Sequence, residues 1–367
     1  MNISSEKPNI LFVGAFSDPK DGSGGGQRYA CKTLLDSEIS EKVNFYTIDS
    51  TMETLPPPGI LRRLVLALKR FLKFCLLLMR FNFQSTLIFT SSGLSFIEKG
   101  LMIIVAKFLG LRAILCPRSG LILDDIEKSS MFLKYLKFVF RRCDYVLCQS
   151  ESWKDFYKNI TKLDDSKFTV IKNWIKTDSY IKIPLVRPKK AKINALYMGW
   201  LERNKGIYEL INAVGNSQTL QKEFKFMICG KGSESANIVK LIKDKRLEDC
   251  FDFYGWVAGK KKLNILSNAD ILIMPSHREG LPNSLLEGMA SGCSVIASSV
   301  GAIPEVISSK QNGLLIDNPR EDLIVESLLY FSSPQRRYEC GMNARKTIID
   351  EHDINQKWKS ICEVISG

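Results

Sequence analysis

Short apolar runs alternate with helix-length segments along nearly the whole sequence, and this alternation constrains the fold more than any other feature. In the first half the apolar runs lie at 9–14, 43–47, 86–90, 113–116 and 144–149. Runs of this kind are typical of strands that are buried on both faces. Strands that alternate with helices favour a parallel sheet with helices on both sides. The sequence therefore predicts an α/β fold of the doubly wound type.

A second series of strand-like runs follows a break that contains Pro184, Pro188 and a basic cluster at 187–190. The runs of this series lie at 193–199, 224–230, 251–254, 270–274, 294–298 and 313–316. A chain of 367 residues is long enough for two domains of ordinary size. We predict two Rossmann-like doubly wound domains, at 1–185 and 186–345, and a C-terminal helix at 346–367 that could pack back on the first domain. The expected ligand site is the cleft that the carboxyl ends of both sheets face.

Composition excludes several classes of protein. Apolar residues make up 45 % and charged residues 25 %, which excludes wholesale disorder. The ten cysteines form no C-x-x-C pair, and the only histidines are His277 and His352, so neither zinc nor a disulfide framework is expected. Cys116, Cys148 and Cys229 lie in strand-like runs and are predicted to be core residues in a reducing cytosol. The polar N-terminus and the lack of long uncharged runs predict neither a secretory signal nor a spanning helix.

The net charge of +13 is concentrated in the first half of the chain, which indicates an anionic partner. Segment 60–80 has a helical pattern, and its basic residues fall within about 120° of one another at 100° per residue. These residues are Arg62, Arg63, Lys69, Arg70, Lys73 and Arg80. Because the rest of the circumference is apolar, we predict an interfacial helix on an anionic membrane. The alternative is a helix packed on the sheet with a solvated basic stripe.

A second helix-like segment, 131–142, is similarly basic. Nucleic acid is not an expected partner, because the basic residues of segment 60–80 lie on a strongly apolar helix without interleaved surface aromatics.

Two segments have patterns that suit a nucleotide-sugar. A glycine-rich loop at 21–27 lies between the first strand and a helix, as in nucleotide-binding βαβ units. Further on, Glu279 and Glu287 flank a stretch that can end a loop and start a helix. Backbone N–H groups at such a start favour a phosphate, and the carboxylates could accept hydrogen bonds from sugar hydroxyls. The alternative is that Ser284 and Glu287 form a capping box.

The second segment and its neighbours resemble the signature of the retaining glycosyltransferases of family 4, which have the GT-B fold of two Rossmann-like domains. The matching pieces occur in the order 199–206, 230–232, 255–257, 270–276, 279–292, 301–305 and 312–313. The resemblance is strong over about 193–320 and looser over 9–175. It implies transfer of a sugar, with retention of configuration, from a UDP- or GDP-sugar that serves as a substrate; no cofactor is expected.

The resemblance also implies residue roles. Lys205 would neutralise the donor pyrophosphate, Glu287 would bind the ribose hydroxyls, and Glu279 would contact the transferred sugar as a catalytic residue. Further donor contacts would come from Gly25, Gly26, Gly232, Val257, Gly280, Leu281, Pro282 and Asn283. Each of these residues has an ordinary alternative, such as a solvated turn lysine, a core valine or a loop glycine.

This sequence departs from the family pattern at two places. In the family, an arginine that contacts the donor phosphate usually follows the glycine at position 199, but this chain has Trp200 there. Arg203 could supply the phosphate contact instead, or it could be a surface residue. After the strand at 113–116, many members have a histidine where this chain has Arg118. An arginine stays protonated and cannot be a general base, but it can stabilise charge on the departing phosphate. We therefore predict a catalytic role for Arg118.

No D-x-D triplet occurs, so a metal-independent donor site is expected, with no metal ligands. The basic helix and the resemblance suggest a lipid-linked or oligosaccharide acceptor in bacterial surface polysaccharide synthesis, at the inner face of the cytoplasmic membrane. The transferred sugar would be a hexose or an N-acetylhexosamine. Two alternatives stay open: a GT-B nucleotide-sugar epimerase, or a non-catalytic protein that binds membranes or nucleic acid through its basic face.

Overall fold

The computed structural model describes residues 7–18, 25–51, 58–188 and 190–367. The chain forms two compact units, Met1–Trp174 with Ile354–Gly367, and Ile175–Asp353. The units divide after residue 174, whereas the sequence indicated 185. The reason is that the intervening residues bond within the second unit, where the N–H of Ile175 donates to the carbonyl of His352 at 2.9 Å.

The first unit contains a six-stranded parallel sheet in the order β2-β1-β3-β4-β5-β6. The strands are β1 (Asn9–Gly14), β2 (Asn44–Asp49), β3 (Ser85–Thr90), β4 (Arg112–Pro117), β5 (Tyr145–Cys148) and β6 (Phe168–Val170). The first five correspond to the predicted apolar runs. The sixth has only three residues, too few for its period to be recognised in the sequence.

Helices connect these strands as expected of βαβ units. They are α1 (Gly26–Leu35), α2 (Ile39–Lys42), α3 (Ile60–Arg80), α4 (Leu94–Phe108), α5 (Ile122–Lys128), α6 (Ser130–Arg142) and α7 (Glu151–Thr161).

The second unit repeats the architecture, with a parallel sheet in the order β12-β11-β10-β7-β8-β9. Its strands are β7 (Ile193–Met198), β8 (Phe224–Cys229), β9 (Phe251–Gly255), β10 (Ile271–Met274), β11 (Ser294–Ser298) and β12 (Leu314–Ile316). Its helices are α8 (Ile207–Gly215), α9 (Gln218–Glu223), α10 (Ser235–Asp244), α11 (Gly259–Asn268), α12 (Asn283–Ala290), α13 (Glu321–Tyr330) and α14 (Pro334–His352). The chain order reverses between β7 and β10, which makes their carboxyl ends the expected ligand position of this unit.

The last helix, α15 (Ile354–Ser366), belongs to the first unit. Its Trp358, Ile361 and Ile365 are buried against the core of the first sheet. The sequence placed the start of this returning segment at 346, but α14 continues to His352 within the second unit.

The strands of both sheets form the two cores. The residues of β1, β10 and β11 are almost entirely buried, which explains why these stretches of sequence are continuously apolar. The ten cysteines all lie within the described ranges and are free thiols, eight of them buried. Cys116, Cys148 and Cys229 are core residues, as the sequence predicted.

Helix α3 has an unusual surface for a helix that covers a sheet. Of its residues, all of which the structure describes, only Phe74 is buried. Large apolar side chains point to solvent, including Leu61 at 76 %, Leu68 at 59 % and Met79 at 74 % exposure. A helix packed on the sheet through its apolar face, with only a basic stripe in solvent, would hide these side chains, so that alternative does not describe α3.

One of the basic residues of α3 has a structural partner. Arg70 donates two hydrogen bonds to the carboxylate of Glu98 on α4, at 2.7 and 2.9 Å, and Lys99 lies on the same carboxylate at 3.0 Å. Burial alone would raise the pKa of Glu98, but the hydrogen bonds and charges of Arg70 and Lys99 together lower it. Arg70, one of the predicted membrane contacts, therefore holds α3 against α4.

No helix among the described residues has the length and apolarity that crossing a membrane requires.

Candidate active site

Two of the predicted donor-site residues form an ion pair at the reversal point of the second sheet. Lys205 follows β7, and Glu279 follows β10, the strand beside it. The Nζ of Lys205 lies 2.7 Å from Oε1 of Glu279 and also donates to the carbonyl of Arg278 at 3.2 Å. Both side chains are largely buried, with 17 % and 11 % exposure. The pair therefore places a cation and an anion together at the expected ligand position.

The loop that carries Glu279 is held by close packing. Ser276 donates a hydrogen bond from its hydroxyl to Oε1 of Glu279 at 2.9 Å. Gly301 has a φ of +58°, and a Cβ there would collide with the carbonyl oxygens of Glu279 and Gly280. The N–H of Ala302 donates to the carbonyl of Gly280 at 2.9 Å. A side chain at Gly301 would therefore displace the loop that positions the carboxylate.

The turn that carries Lys205 is equally constrained. Gly206 has a φ of +70°, and a Cβ there would overlap the backbone of Pro275. The hydroxyl of Tyr197 donates to the carbonyls of Trp200 and Lys205, at 3.1 and 3.3 Å. Burial, with the charge of Glu279 nearby, raises the pKa of Tyr197, so this donor stays protonated.

Glu287 lies in α12 and is 4 % exposed. Its Oε1 lies 2.5 Å from the Nζ of Lys262, a residue of α11. The capping-box alternative does not describe this helix, because Pro282 is the N-cap and no side chain caps the helix. Ser284 instead directs its hydroxyl to the sulfur of Met274, at 3.8 Å. The carboxylate therefore has a charged partner in place of a backbone one.

Lys262 is a site residue that the sequence does not reveal. This residue is one of three consecutive lysines at 260–262, and nothing in that run distinguishes it. A buried carboxylate needs a partner, so the burial of Glu287, which only the structure shows, is the property that calls for a nearby cation.

The start of α12 contains four of the predicted donor contacts. Gly280 and Leu281 end the preceding loop, Pro282 is the N-cap in an extended conformation, and Asn283 is the first helical residue. Leu281 is buried, with 6 % exposure. The N-terminus of α12 follows directly on the loop that carries Glu279, so its backbone N–H groups lie within a few residues of the ion pair.

The remaining predicted residues of the second unit differ in their surroundings. Gly232 packs so closely against the backbone of Leu201 that any side chain would clash. Val257 is buried, with 9 % exposure. Arg203 is exposed, and its guanidinium lies 5.1 Å from the ring centroid of Tyr208.

Arg118 lies in the first unit, directly after β4. Its guanidinium packs 5.2 Å from the ring of Phe89 and 4.8 Å from that of Trp174. Its Nη2 donates to Oδ1 of Asn173. Among the described residues, the buried Nη1 atom has no hydrogen-bond partner. A cation held on aromatic faces with one unused donor is suited to an anionic ligand.

Two buried thiols lie near this guanidinium. Burial raises the pKa of Cys31 to about 12 and also raises the pKa of Cys116, while the charge of Arg118 opposes both shifts. Both thiols are therefore protonated and inert near neutral pH.

The glycine-rich loop of the first unit is described only at its end. Gly25 is the N-cap of α1 with an extended backbone, and Gly26 is the first helical residue. A Cβ at Gly25 would meet open space. The rest of the predicted loop, 21–24, lies outside the described residues.

Among the described residues, no group of three His, Cys, Asp or Glu side chains could hold a metal ion.

The class of fold follows from the two parallel sheets and from similar solved structures. Sucrose-phosphate synthase from Thermosynechococcus elongatus superposes with a TM-score of 0.75, at 18 % identity over 98 % of both chains. Anabaena Alr3699/HepE in complex with UDP and glucose has a TM-score of 0.69, at 16 % identity over 98 % of this chain and 99 % of that chain. The chain therefore has the GT-B fold, as predicted.

A family comparison matches most of the second unit. Residues 182–347 match the family Glycosyl transferases group 1. The segment contains the Lys205–Glu279 and Lys262–Glu287 pairs.

Curated relatives match over longer segments of the chain. The putative colanic acid biosynthesis glycosyltransferase WcaL of Escherichia coli K12 is 24 % identical over 65 % of this chain and 60 % of its own length. The O-antigen chain mannosyltransferase RfbU of Salmonella typhimurium is 28 % identical over 54 % of each chain. The chain thus spans less than two thirds of the length of these relatives.

Proposed function

We propose that this protein is a retaining glycosyltransferase that moves a sugar from a nucleotide-sugar to a glycan acceptor. The observation that carries the proposal is the Lys205–Glu279 pair at the reversal point of the second sheet, next to the start of α12. A diphosphate needs the cation and the helix N-terminus, and a sugar needs a fixed carboxylate that accepts from its hydroxyls. Both requirements are met within one loop cluster of the segment that matches the family Glycosyl transferases group 1.

In this proposal Lys205 pairs with the pyrophosphate when the donor binds, and Glu279 turns to the transferred sugar. Glu287 accepts hydrogen bonds from the ribose hydroxyls, while Lys262 balances its buried charge. A UDP- or GDP-sugar meets these requirements. UDP is the nucleotide in the complex of Anabaena HepE, which shares the fold.

The proposed reaction requires positive charge more than a strong base. The bond between the sugar and the diphosphate breaks with oxocarbenium character, and the acceptor hydroxyl attacks the same face. The proton of that hydroxyl passes to the departing phosphate, whose growing charge is stabilised by Lys205 and by Arg118.

The acceptor is proposed to be a lipid-linked glycan of a bacterial surface polysaccharide. The names of two relatives, which refer to colanic acid and O-antigen chains, support this class of product. Helix α3 supports the lipid: its solvent-facing surface is apolar, and a row of basic residues runs beside the apolar face. Apolar side chains next to cations suit the interface of an anionic leaflet. A peripheral position on the inner face of the cytoplasmic membrane is part of this proposal.

The function is tested by donor binding first and turnover second. Thermal unfolding is measured with a panel of UDP- and GDP-sugars, and a donor at about 100 times its Kd should stabilise the protein by about 2.7 kcal/mol. Release of nucleoside diphosphate is then measured with and without lipid-linked acceptors extracted from bacterial membranes. Acceptor-dependent release is the expected result, and the anomeric configuration of the product by NMR checks retention. If no nucleotide-sugar stabilises the protein or is turned over, the proposal is wrong.

A further inference from the structure

Two tryptophans from separate strands meet at the carboxyl edge of the second sheet. Trp200 follows β7 and Trp256 follows β9, and these strands flank β8. Their ring centroids are 4.8 Å apart with an angle of 33° between the ring planes. Both side chains are partly exposed, and the Nζ of Lys231 lies 6.0 Å from the centroid of Trp256. The pair is thus an aromatic surface open to solvent on the edge where α/β sheets bind ligands.

The turn of the middle strand is shaped so that the outer turns can approach. Gly230 lies so near the carbonyl of Gly199 that a Cβ would overlap it, and Gly232 has the same relation to Leu201. The N–H of Leu201 donates to the carbonyl of Lys231 at 3.0 Å, and the N–H of Gly230 donates to the carbonyl of Gly255 at 2.9 Å. The turns that carry the two indoles are therefore both hydrogen-bonded to the turn that follows β8.

The pair shares a loop with the proposed phosphate contact. Trp200 and Lys205 belong to the same turn, and one hydroxyl, that of Tyr197, donates to the carbonyls of both residues. Val257 is buried next to Trp256 in the chain. A ligand whose anionic end binds Lys205 would therefore have the aromatic surface of Trp200 on the same turn.

We propose that Trp200 and Trp256 are specificity-determining residues that hold the nucleobase of the donor by stacking. The inference rests on the proposed function, because it assigns the base of the same nucleotide-sugar to this surface. Indole faces bind planar bases well, and they contribute little to a bare phosphate. The pair therefore distinguishes a nucleoside diphosphate from inorganic pyrophosphate, which has the charge but no base.

The experiment compares three probes, UDP, GDP and inorganic pyrophosphate, by calorimetric titration of the full chain. The variants are Trp200→Ala and Trp256→Ala, with Phe253→Ala as the matched control. Phe253 is an exposed aromatic residue within β9 and outside the pair. The Kd of the nucleoside diphosphate that the wild type binds should rise about 5- to 150-fold in either tryptophan variant, since base stacking contributes about 1–3 kcal/mol per base. The Kd of pyrophosphate and the behaviour of the control should not change.

Each other outcome overturns the proposal. If both tryptophan variants bind the nucleoside diphosphate as tightly as the wild type, the pair does not contact the base. If the variants lose affinity for pyrophosphate to the same extent as for the nucleoside diphosphate, the pair supports the loop of Lys205 and does not contact the base. If the wild type binds neither UDP nor GDP, the proposed function fails together with this inference.

Two further measurements keep the proposal testable if an alanine variant does not fold. Circular dichroism compares each alanine variant with the wild type, and an unfolded variant is replaced by Trp200→Phe or Trp256→Phe. These variants keep an aromatic face, so the rise in Kd should be smaller, and the nucleotide-dependent change in tryptophan fluorescence should diminish in each. An unchanged fluorescence response in both phenylalanine variants overturns the proposal.

Discussion

Helices α3 and α12 use their apolar residues in opposite ways. In α12 every residue from Leu285 to Ala290 is buried, and this packing includes the carboxylate of Glu287 with its partner Lys262. In α3 only Phe74 is buried among residues that the structure describes in full, and leucines cover the outer surface. The second unit thus uses burial to fix a charge at the candidate site, and the first unit leaves apolar area in solvent.

The difference teaches that amphipathic patterning does not determine which face of a helix is hidden. A soluble protein normally buries the apolar stripe of a surface helix. A large exposed apolar surface with cations beside it indicates an interaction site instead.

Removing four of the six basic charges of α3 should strongly weaken the proposed membrane binding and leave the rest of the protein intact. The variant combines Arg62→Gln, Arg63→Gln, Lys69→Gln and Lys73→Gln; Arg70 is kept because it pairs with Glu98. Each basic residue near an anionic surface contributes about 1 kcal/mol, so partition into anionic vesicles should fall by about 10³-fold. Vesicle flotation measures the partition.

A matched control exchanges four exposed lysines of the second unit, namely Lys222, Lys240, Lys243 and Lys260. This variant should float like the wild type. Equal flotation of the wild type with neutral and anionic vesicles would contradict the electrostatic part of the proposal.

Arg118→Ala should slow the chemical step of the proposed reaction by about 10²–10³-fold. The reason is that charge on the leaving phosphate grows in the transition state, so kcat falls much more than donor affinity. Arg118→Lys should recover only part of the rate, since an ammonium lacks the forked geometry. Single-turnover kinetics at saturating donor provides the measurement. An unchanged chemical step with a raised acceptor KM would place Arg118 at the acceptor.

Glu287→Gln should weaken donor binding about 10- to 150-fold, because a hydrogen bond to a charged group contributes about 1.5–3 kcal/mol. Lys205→Ala should have an effect of the same order, through the pyrophosphate. Titration with the best nucleotide-sugar gives Kd, and Lys260→Ala on α11 is the control for loss of a nearby lysine. A lower melting temperature with normal donor affinity in Glu287→Gln would indicate a purely structural carboxylate.

Arg70→Ala should destabilise the first unit by about 1 kcal/mol, since Glu98 keeps Lys99 but loses two hydrogen bonds. The pKa of Glu98 lies below its ordinary value of 4.5 in the folded protein. The stabilisation is therefore complete above that value and is lost as the pH falls through the lowered pKa. Thermal unfolding is measured from neutral to acid pH, and the melting temperature of the variant should fall less steeply with decreasing pH than that of the wild type. Identical curves for the two proteins would show that the pair adds no stability.

Much of the fold could be predicted from the sequence because its determinants are local. Among the described residues, continuous apolar runs identified eleven of the twelve strands and missed the three-residue β6. Segment 60–80 corresponds to α3 at both ends. Gly206, between β7 and α8, indicated a turn of the candidate site, since its positive φ and its close approach to the backbone of Pro275 tolerate no side chain.

The boundary between the two units was less accessible to sequence analysis. Prolines near 184 and 188 suggested a linker, but residues from 175 onward are bonded to the end of α14. Such a hydrogen bond joins positions far apart in the sequence, so the local composition does not indicate it.

Local patterns in the amino-acid sequence are enough to predict the α/β architecture and the amphipathic pattern of α3. They also predict that Lys205 and Glu279 follow strands and that Glu287 lies in a helix. The pairing of Lys205 with Glu279, and of Lys262 rather than its neighbouring lysines with Glu287, depends on the packing of the folded chain. The same packing decides that Arg70 contacts Glu98 while the leucines of α3 face solvent. The physical reason is that periodicity and turn chemistry act over a few neighbouring residues, whereas charge pairing and exposure depend on elements brought together from distant parts of the chain.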